Sequence, residues 1–347
     1  MKLFNQNVRF HALSFLILSF VLMLAGCGGT TSSSNTTKSE GASTKKSADT
    51  KVVIAEPMHN LGYLPLYVAI DQGYFEGIDV SITTLAGGGA HTNAVLTDQA
   101  WGFIGGPEHN AFANAKGAEL RAIINVVNRG NVYFTAASGE ELPSGDNLAE
   151  YFKGKKIATG FYGGTPNSIT RYYLAELGLD VEKDVTLIEV DNAAMTSIIE
   201  KDQASIAVIS EPILTQGIEA GIWTEPFVNV PEDLGAYAYS TINIKQDTIK
   251  NNPESVKAFV SGLKKGLQYV KDNPEGSYEI ARKEFSTMDT DVLKKTLDRS
   301  YADGLWEFSG EITKESVETN LSVVKNAGML KEDITYDQIV VMSFVKP

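Results

Sequence analysis

The sequence predicts an α/β protein of two lobes, each built on a largely parallel sheet, with helices at its C-terminal end. Strand, loop and helix recur three times in the first half of the body, and the same rhythm resumes near Leu148. The final third then changes to long amphipathic helices. In such sheets ligands collect at the carboxyl ends of the strands, so the loops after strands are the first places to look for function.

The chain opens with a leader. Lys2 and Arg9 give a basic start, residues 12–24 are apolar apart from Ser14 and Ser19, and Leu24-Ala25-Gly26 precede Cys27, the only cysteine. The apolar run is shorter than the roughly 20 residues of a spanning helix. A thiol directly after small residues is a site for lipid transfer, and the segment resembles a bacterial lipobox; residues 1–26 are expected to be a signal peptide and Cys27 the acylated N-terminus. A single cysteine excludes disulfides, and once acylated it leaves no catalytic or metal-binding thiol. Residues 28–50 are Gly, Ser, Thr, Asn, Lys, Ala, Asp and Glu, too polar to fold, so residues 27–50 read as a lipidated tether spanning roughly 25 Å. Losing Lys2 and Arg9 with the leader would take the formal charge from −13 to −15, which excludes a nucleic-acid partner.

Val52-Val53-Ile54-Ala55 reads as a buried strand, followed by a loop with Pro57, Asn60 and Gly62. Leu64, Tyr67, Val68 and Ile70 fit a partly buried helix that Gly73 stops. A strand over 80–85, the triplet Gly87-Gly88-Gly89, a helix over 90–97, a strand over 101–104 and the loop Gly105-Gly106-Pro107 follow. In the second unit, 155–159 is a strand, 160–164 a loop with two aromatics, and Thr165-Pro166 a helix start, with Thr as N-cap and Pro at the first helical position. Ile169, Tyr172, Tyr173 and Leu177 recur at helical spacing up to Gly178. Then come a strand over 185–190, a helix over 195–199, a strand over 205–209, the loop Ser210-Glu211, and a helix opened by Pro212 and closed by Gly221.

Asn252-Pro253 caps a helix whose Val256, Phe259, Val260, Leu263, Leu267 and Val270 form one stripe; Asn273-Pro274 starts another, and Val317, Leu321, Val324 and Gly328 mark a third. These helices need a sheet to cover, and the first lobe, with only three expected strands, needs covering. The expected organisation is therefore a double crossover, with lobe 1 formed by residues 51–140 and 238–347 and lobe 2 by residues 141–237.

Tyr63-Leu64-Pro65-Leu66-Tyr67-Val68-Ala69, then Gly73-Tyr74-Phe75 and Ile78-Asp79-Val80, resembles the opening of the type II periplasmic binding proteins that serve nitrate, sulfonate, taurine and thiamine-pyrimidine importers. Gly87-Gly88-Gly89, Gly102-Phe103-Ile104, Gly117-Ala118-Glu119-Leu120, Gly154-Lys155-Lys156-Ile157 and the run to Pro212 are similar at that family's second-strand loop, third strand, following helix and second lobe. The resemblance covers residues 52–330 and implies a monomer whose lobes close on a small molecule and pass it to an ABC permease and its ATPase. With the lipid anchor, it implies a location on the extracytoplasmic face of the cell membrane.

On that fold the ligand-facing candidates are Asn60, Tyr63, Gly88, Gly89, His91, Pro107, Glu108, Gly164, Thr165 and Glu211, with the backbone of Gly88 and Gly89 approaching the ligand. Glu211 is expected to be the main polar anchor of lobe 2. His59, His91 and His109 fall in or beside the three strand-end loops of the first lobe, where they could contact ligand, sense pH, join Glu56 and Glu108 around a metal, or simply face solvent. No pair has zinc-motif spacing, so no metal or cofactor is assigned. Glu56, Glu108 and Glu211 lie at strand ends and no Lys or Arg falls in these loops, while Tyr63, Phe161, Tyr162, Tyr237 and Tyr239 lie in or near them. Aromatic faces with an acceptor suit a flat nitrogen heterocycle bearing an amino group, such as a pyrimidine. The alternatives are an anion such as an aliphatic sulfonate, taurine or nitrate, and a surface ligand sensor with no transport role. Fungal pyrimidine synthases resemble the same fold but carry a cysteine-rich stretch that this chain lacks, and no nucleophile, base and orienter stand together here, so no enzyme activity is expected.

Overall fold

The computed structural model describes residues 50–143 and 147–346. The expected leader, Cys27 and the tether up to residue 49 lie outside the described residues. The first sheet receives β1 (Thr50–Glu56), β2 (Ile78–Thr84), β3 (Gly102–Gly105) and β4 (Leu120–Val127). The second receives β5 (Tyr133–Ala136), β6 (Lys156–Thr159), β7 (Thr186–Glu189), β8 (Ile206–Ile209) and β9 (Val228–Asn229), before β10 (Ser240–Lys245) returns to the first. Strand order is β2-β1-β3-β10-β4 in one sheet and β7-β6-β8-β5-β9 in the other, so the two are built on one plan.

The expected order of strands and helices is present in both units, with three corrections. Each sheet is mixed: β10 runs antiparallel to β3 and β4, and β5 antiparallel to β8 and β9. Each of these two strands is the one by which the chain enters from the other sheet, so neither continues the parallel strand-helix-strand winding of its neighbours. The chain also leaves the first sheet between Val127 and Tyr133, not near residue 140, because β5 is already bonded into the second sheet. It returns to the first sheet between Asn229 and Ser240. Finally, the segment after Gly117 enters β4, whose eight residues are almost all buried.

Helices follow the strands: α1 (Leu64–Asp71), α2 (Ala90–Leu96), α3 (Glu108–Asn114), α4 (Leu148–Phe152), α5 (Thr165–Glu176), α6 (Asn192–Glu200), α7 (Ile213–Glu219) and α8 (Val230–Leu234). Beyond β10 come α9 (Gln246–Asn251), α10 (Pro253–Asp272), α11 (Pro274–Glu284), α12 (Thr290–Ala302), α13 (Lys314–Asn326) and α14 (Tyr336–Ile339). The stripe on α10 is buried from Val256 to Val270 and packs on α1. These last helices do more than cover the first sheet, for α12 packs on α7 and α13 on α5, both belonging to the second unit. One apolar core accordingly runs through both sheets, from Val52 and Ile54 to Phe134, Ile157 and Ile206. Among the described residues no helix is long and apolar enough to cross a membrane.

Candidate functional site

Where the carboxyl ends of β1, β3, β6, β7 and β8 face one another, the two sheets enclose a cavity of about 90 Å³. Its first-sheet wall is Pro57, Met58, Asn60, Tyr63, Gly87, Gly88, His91, Gly105 and His109, with Tyr239 and Ser240 from the start of β10. The second-sheet wall is Gly160, Phe161, Gly164, Thr165, Pro166, Val190, Asp191, Asn192 and Ser210. Among the described residues no lysine or arginine lines it and Asp191 is the one carboxylate, already capping α6 by accepting from the Ala193 N–H at 3.0 Å.

Of the ten residues expected at the ligand, Asn60, Tyr63, Gly88, His91, Gly164 and Thr165 line this cavity. Gly89 lies instead along a neighbouring surface groove, and Pro107, Glu108 and Glu211 lie outside the cavity wall. Glu211 is spent on its own surroundings. It is buried, accepts from the Thr215 hydroxyl at 2.7 Å and backbone N–H at 3.1 Å, and lies 2.9 Å from Nε of Arg299 on α12. Nε–H is not aimed along that line, so the Arg299 contact is one of charge rather than a hydrogen bond. Burial pushes the Glu211 carboxyl above its ordinary value, against the pull of Thr215 and Arg299. The Glu211 side chain, expected as the lobe-2 anchor, is met by the hydroxyls of Thr215 and Thr296 and by Arg299, outside the cavity wall, while its backbone carbonyl accepts from Nδ2 of Asn60 at 2.8 Å.

Glu108 is also buried, with Oε1 accepting from the Thr165 hydroxyl at 2.5 Å and Oε2 from Nδ2 of Asn320 at 2.6 Å. Thr165 is therefore no N-cap: Gly164 holds that position, no side chain caps α5, and the threonine hydroxyl is turned across the cleft. Glu56, the third strand-end carboxylate, accepts from the hydroxyls of Tyr67 and Thr84 and from Nδ1 of His59. Gly88 does make a close backbone approach, but to the protein: a Cβ there would lie 2.5 Å from the carbonyl oxygen of Tyr162.

The histidines divide. His59 stacks between Tyr67 and Phe285, and its hydrogen bond to Glu56 raises its pKa despite partial burial. His91 and His109 form a perpendicular pair with centroids 4.7 Å apart. Burial holds both below the ordinary imidazole value, His91 well below it, so both are neutral near pH 7. Neither ring nitrogen of His91 meets a hydrogen-bond partner among the described residues, although the ring is 2 % exposed. A neutral imidazole offers one donor and one acceptor, and leaving both unmet in a buried site is costly. Tyr63 and Tyr239, their hydroxyls pushed up by burial, stay protonated beside it. Among the described residues no three His, Cys, Asp or Glu side chains are grouped to hold a metal.

Sequence reasoning missed Asn192, Ser210 and Ser240 as wall residues, while Tyr239 and Phe161, expected among the loop aromatics, do line the cavity. The signal for Asn192 was present, since Asp191-Asn192 is a cap at a helix start directly after a strand; Ser240 was hidden because β10 went unrecognised.

The NMT1/THI5 like family matches residues 60–277, more than half of the chain. The chain belongs to that family. Among curated relatives, it is 26% identical over 299 residues to YtlA of Bacillus subtilis (strain 168), named as a binding protein, covering 84% of this chain and 87% of that one. It is 23% identical over 295 residues to the riboflavin-binding protein RibY of Chloroflexus aurantiacus (strain ATCC 29366 / DSM 635 / J-10-fl), covering 80% and 78%. The fold is shared with the ligand-binding component of an ABC-type import system from Staphylococcus aureus, at TM-score 0.71 and 14% identity over 86% of this chain and 98% of that one. It is shared too with the alkanesulfonate-binding protein SsuA of Xanthomonas axonopodis pv. citri, at TM-score 0.70 and 16% identity over 86% and 100%. The fold expected from sequence, that of periplasmic binding proteins, is the fold observed, and these structural neighbours are solute-binding proteins, not enzymes.

Proposed function

We propose that this chain is the extracytoplasmic solute-binding component of an ABC importer, anchored to the cell membrane through lipid on Cys27, with each sheet and its helices forming one lobe of a clamp. The solute is an uncharged, flat nitrogen heterocycle carrying both a donor and an acceptor. The observation that carries this reading is His91, buried against the cavity with both ring nitrogens unmet and no lysine or arginine in the wall among the described residues. A heterocycle that accepts at one atom and donates at another satisfies the imidazole, while Tyr63, Tyr239 and Phe161 supply aromatic faces and Asn60, Asn192, Ser210 and Ser240 further neutral hydrogen-bonding groups. Kinship with a protein named for riboflavin, itself a flat nitrogen heterocycle, agrees with this. Partners are a permease and an ATPase, and the binding protein acts as a monomer.

One observation favours a second reading. The N-terminus of α5, which no side chain caps, opens at Gly164 and Thr165 on the cavity, and free N–H groups at a helix start attract anions such as an alkanesulfonate. A thermal-shift screen of the full chain against 4-aminopyrimidines, riboflavin, methanesulfonate, taurine and nitrate separates the two. A ligand at 100 times its dissociation constant adds about 2.7 kcal/mol. The heterocycles are expected to raise the midpoint and the anions to leave it unchanged; the reverse selects the anion reading.

A further inference from the structure

The first-sheet and second-sheet walls touch through a few specific contacts, and one of them joins a fully buried carboxylate to the start of α5. Glu108 opens α3, and its side chain folds back over Gly106, where a Cβ would overlap Oε2. Only glycine leaves room for that carboxylate. From there Oε1 reaches the Thr165 hydroxyl on the opposite wall while Oε2 takes Nδ2 of Asn320 on α13. Thr165 is flanked by Gly164 and Pro166, and all three line the cavity, whereas Glu108 lies outside its wall.

We propose that Glu108 is a positioning residue for the binding site, which sets the second-sheet wall over the cavity through its hydrogen bond from Thr165 and so fixes how far the lobes stand closed before any solute arrives. Opening the cleft breaks this bond and exposes one oxygen of a carboxylate whose other oxygen stays bound to Asn320. The closed arrangement is thereby favoured by the net gain of a charge-assisted hydrogen bond over hydration of the exposed oxygen. The proposal rests on the reading of the cavity as the solute site, but its test uses no solute, so the two can fail separately.

Amide hydrogen exchange of the full chain, followed by mass spectrometry without added ligand, reads the seam directly. In Thr165→Val the hydroxyl is lost with little change in shape, and because that hydroxyl caps nothing in α5, helix stability is left alone. Exchange over residues 87–91 and 160–166 is expected to accelerate about tenfold or more, the loss of one charge-assisted hydrogen bond, with exchange in the buried strand β4 unchanged. Gly106→Ala, which displaces the carboxylate from the first-sheet side, is expected to accelerate the same two segments, and Thr165→Ser to restore the wild-type rate. Unchanged exchange in Thr165→Val, or a serine variant that behaves like valine, would overturn the proposal. Faster exchange spread equally over β4 in both Thr165→Val and Gly106→Ala would also overturn it, since that is general destabilisation rather than an opened seam.

Discussion

The turns after β3 and after β8 stand at the same place in two sheets of the same strand order, and each carries a buried glutamate beside a proline, Glu108 after Pro107 and Glu211 before Pro212. Their side chains nevertheless serve different ends. Glu108 is directed across the cleft to Thr165; Glu211 is held at home by Thr215 and by Arg299 from a C-terminal helix. Position at a strand's carboxyl end makes a carboxylate available to the cleft, but which partners the rest of the chain delivers decides whether it is used there. α12 delivers a cation to Glu211, whereas α13 delivers to Glu108 only the amide of Asn320.

The largest difference between the two turns is expected at Arg299. Arg299→Met leaves Glu211 buried with its charge partner gone; because Arg299 is partly exposed and screened, the cost is below that of breaking a fully buried pair, about 2 kcal/mol. Urea unfolding of the full chain at pH 7 is expected to show that loss. A loss below about 1 kcal/mol would mean that the hydroxyls of Thr215 and Thr296 suffice for Glu211 and that the two turns differ less than their partners suggest.

Histidines sharpen the same contrast through pH. The folded values of His91 and His109 lie below the ordinary 6.5, so the unfolded chain takes up protons first and stability falls as pH drops through about 6.5. For His59 the sign is opposite: its folded value is raised, so its contribution is full below 6.5 and fades as pH rises through the folded value. Urea midpoints at pH 5.5, 7 and 8.5 are expected to fall less on the acid side in His91→Phe than in wild type, by about 1 kcal/mol. In His59→Gln they are expected to fall less on the alkaline side, by under about 1 kcal/mol because His59 is partly exposed and screened. An acid limb identical in His91→Phe and wild type would show that the imidazole is protonated in place.

Most of the framework was legible because it rests on local signals. Leu64 to Asp71 with a left-handed Gly73, the β-branched run of β1, and the stripe on α10 each announce one element by periodicity and punctuation. β10 and β5 were not read, although Ile242 and Ile244 alternate in β10, because a short strand in an antiparallel slot gains its identity from neighbours distant in sequence. The crossover near residue 130 was lost with β5. At the site, the loops were legible and the roles were not. Sequence places Glu211 and Glu108 at strand ends, but Arg299 and Asn320 arrive from helices some 90 and 200 residues later, and no local pattern reveals that they are the partners. His91 carried no local signal of being left unpaired; that follows only from what surrounds it.

The most direct measurement is titration calorimetry of the full chain, His91→Leu and Glu211→Gln with riboflavin, a 4-aminopyrimidine and methanesulfonate. Wild type is expected to bind at least one heterocycle and not the sulfonate, His91→Leu to weaken that binding about tenfold through lost hydrogen bonds, and Glu211→Gln to leave it within about twofold. Binding of methanesulfonate alone, or an affinity that changes in Glu211→Gln and not in His91→Leu, would contradict a site in which the neutral imidazole, rather than the strand-end carboxylate, meets the solute.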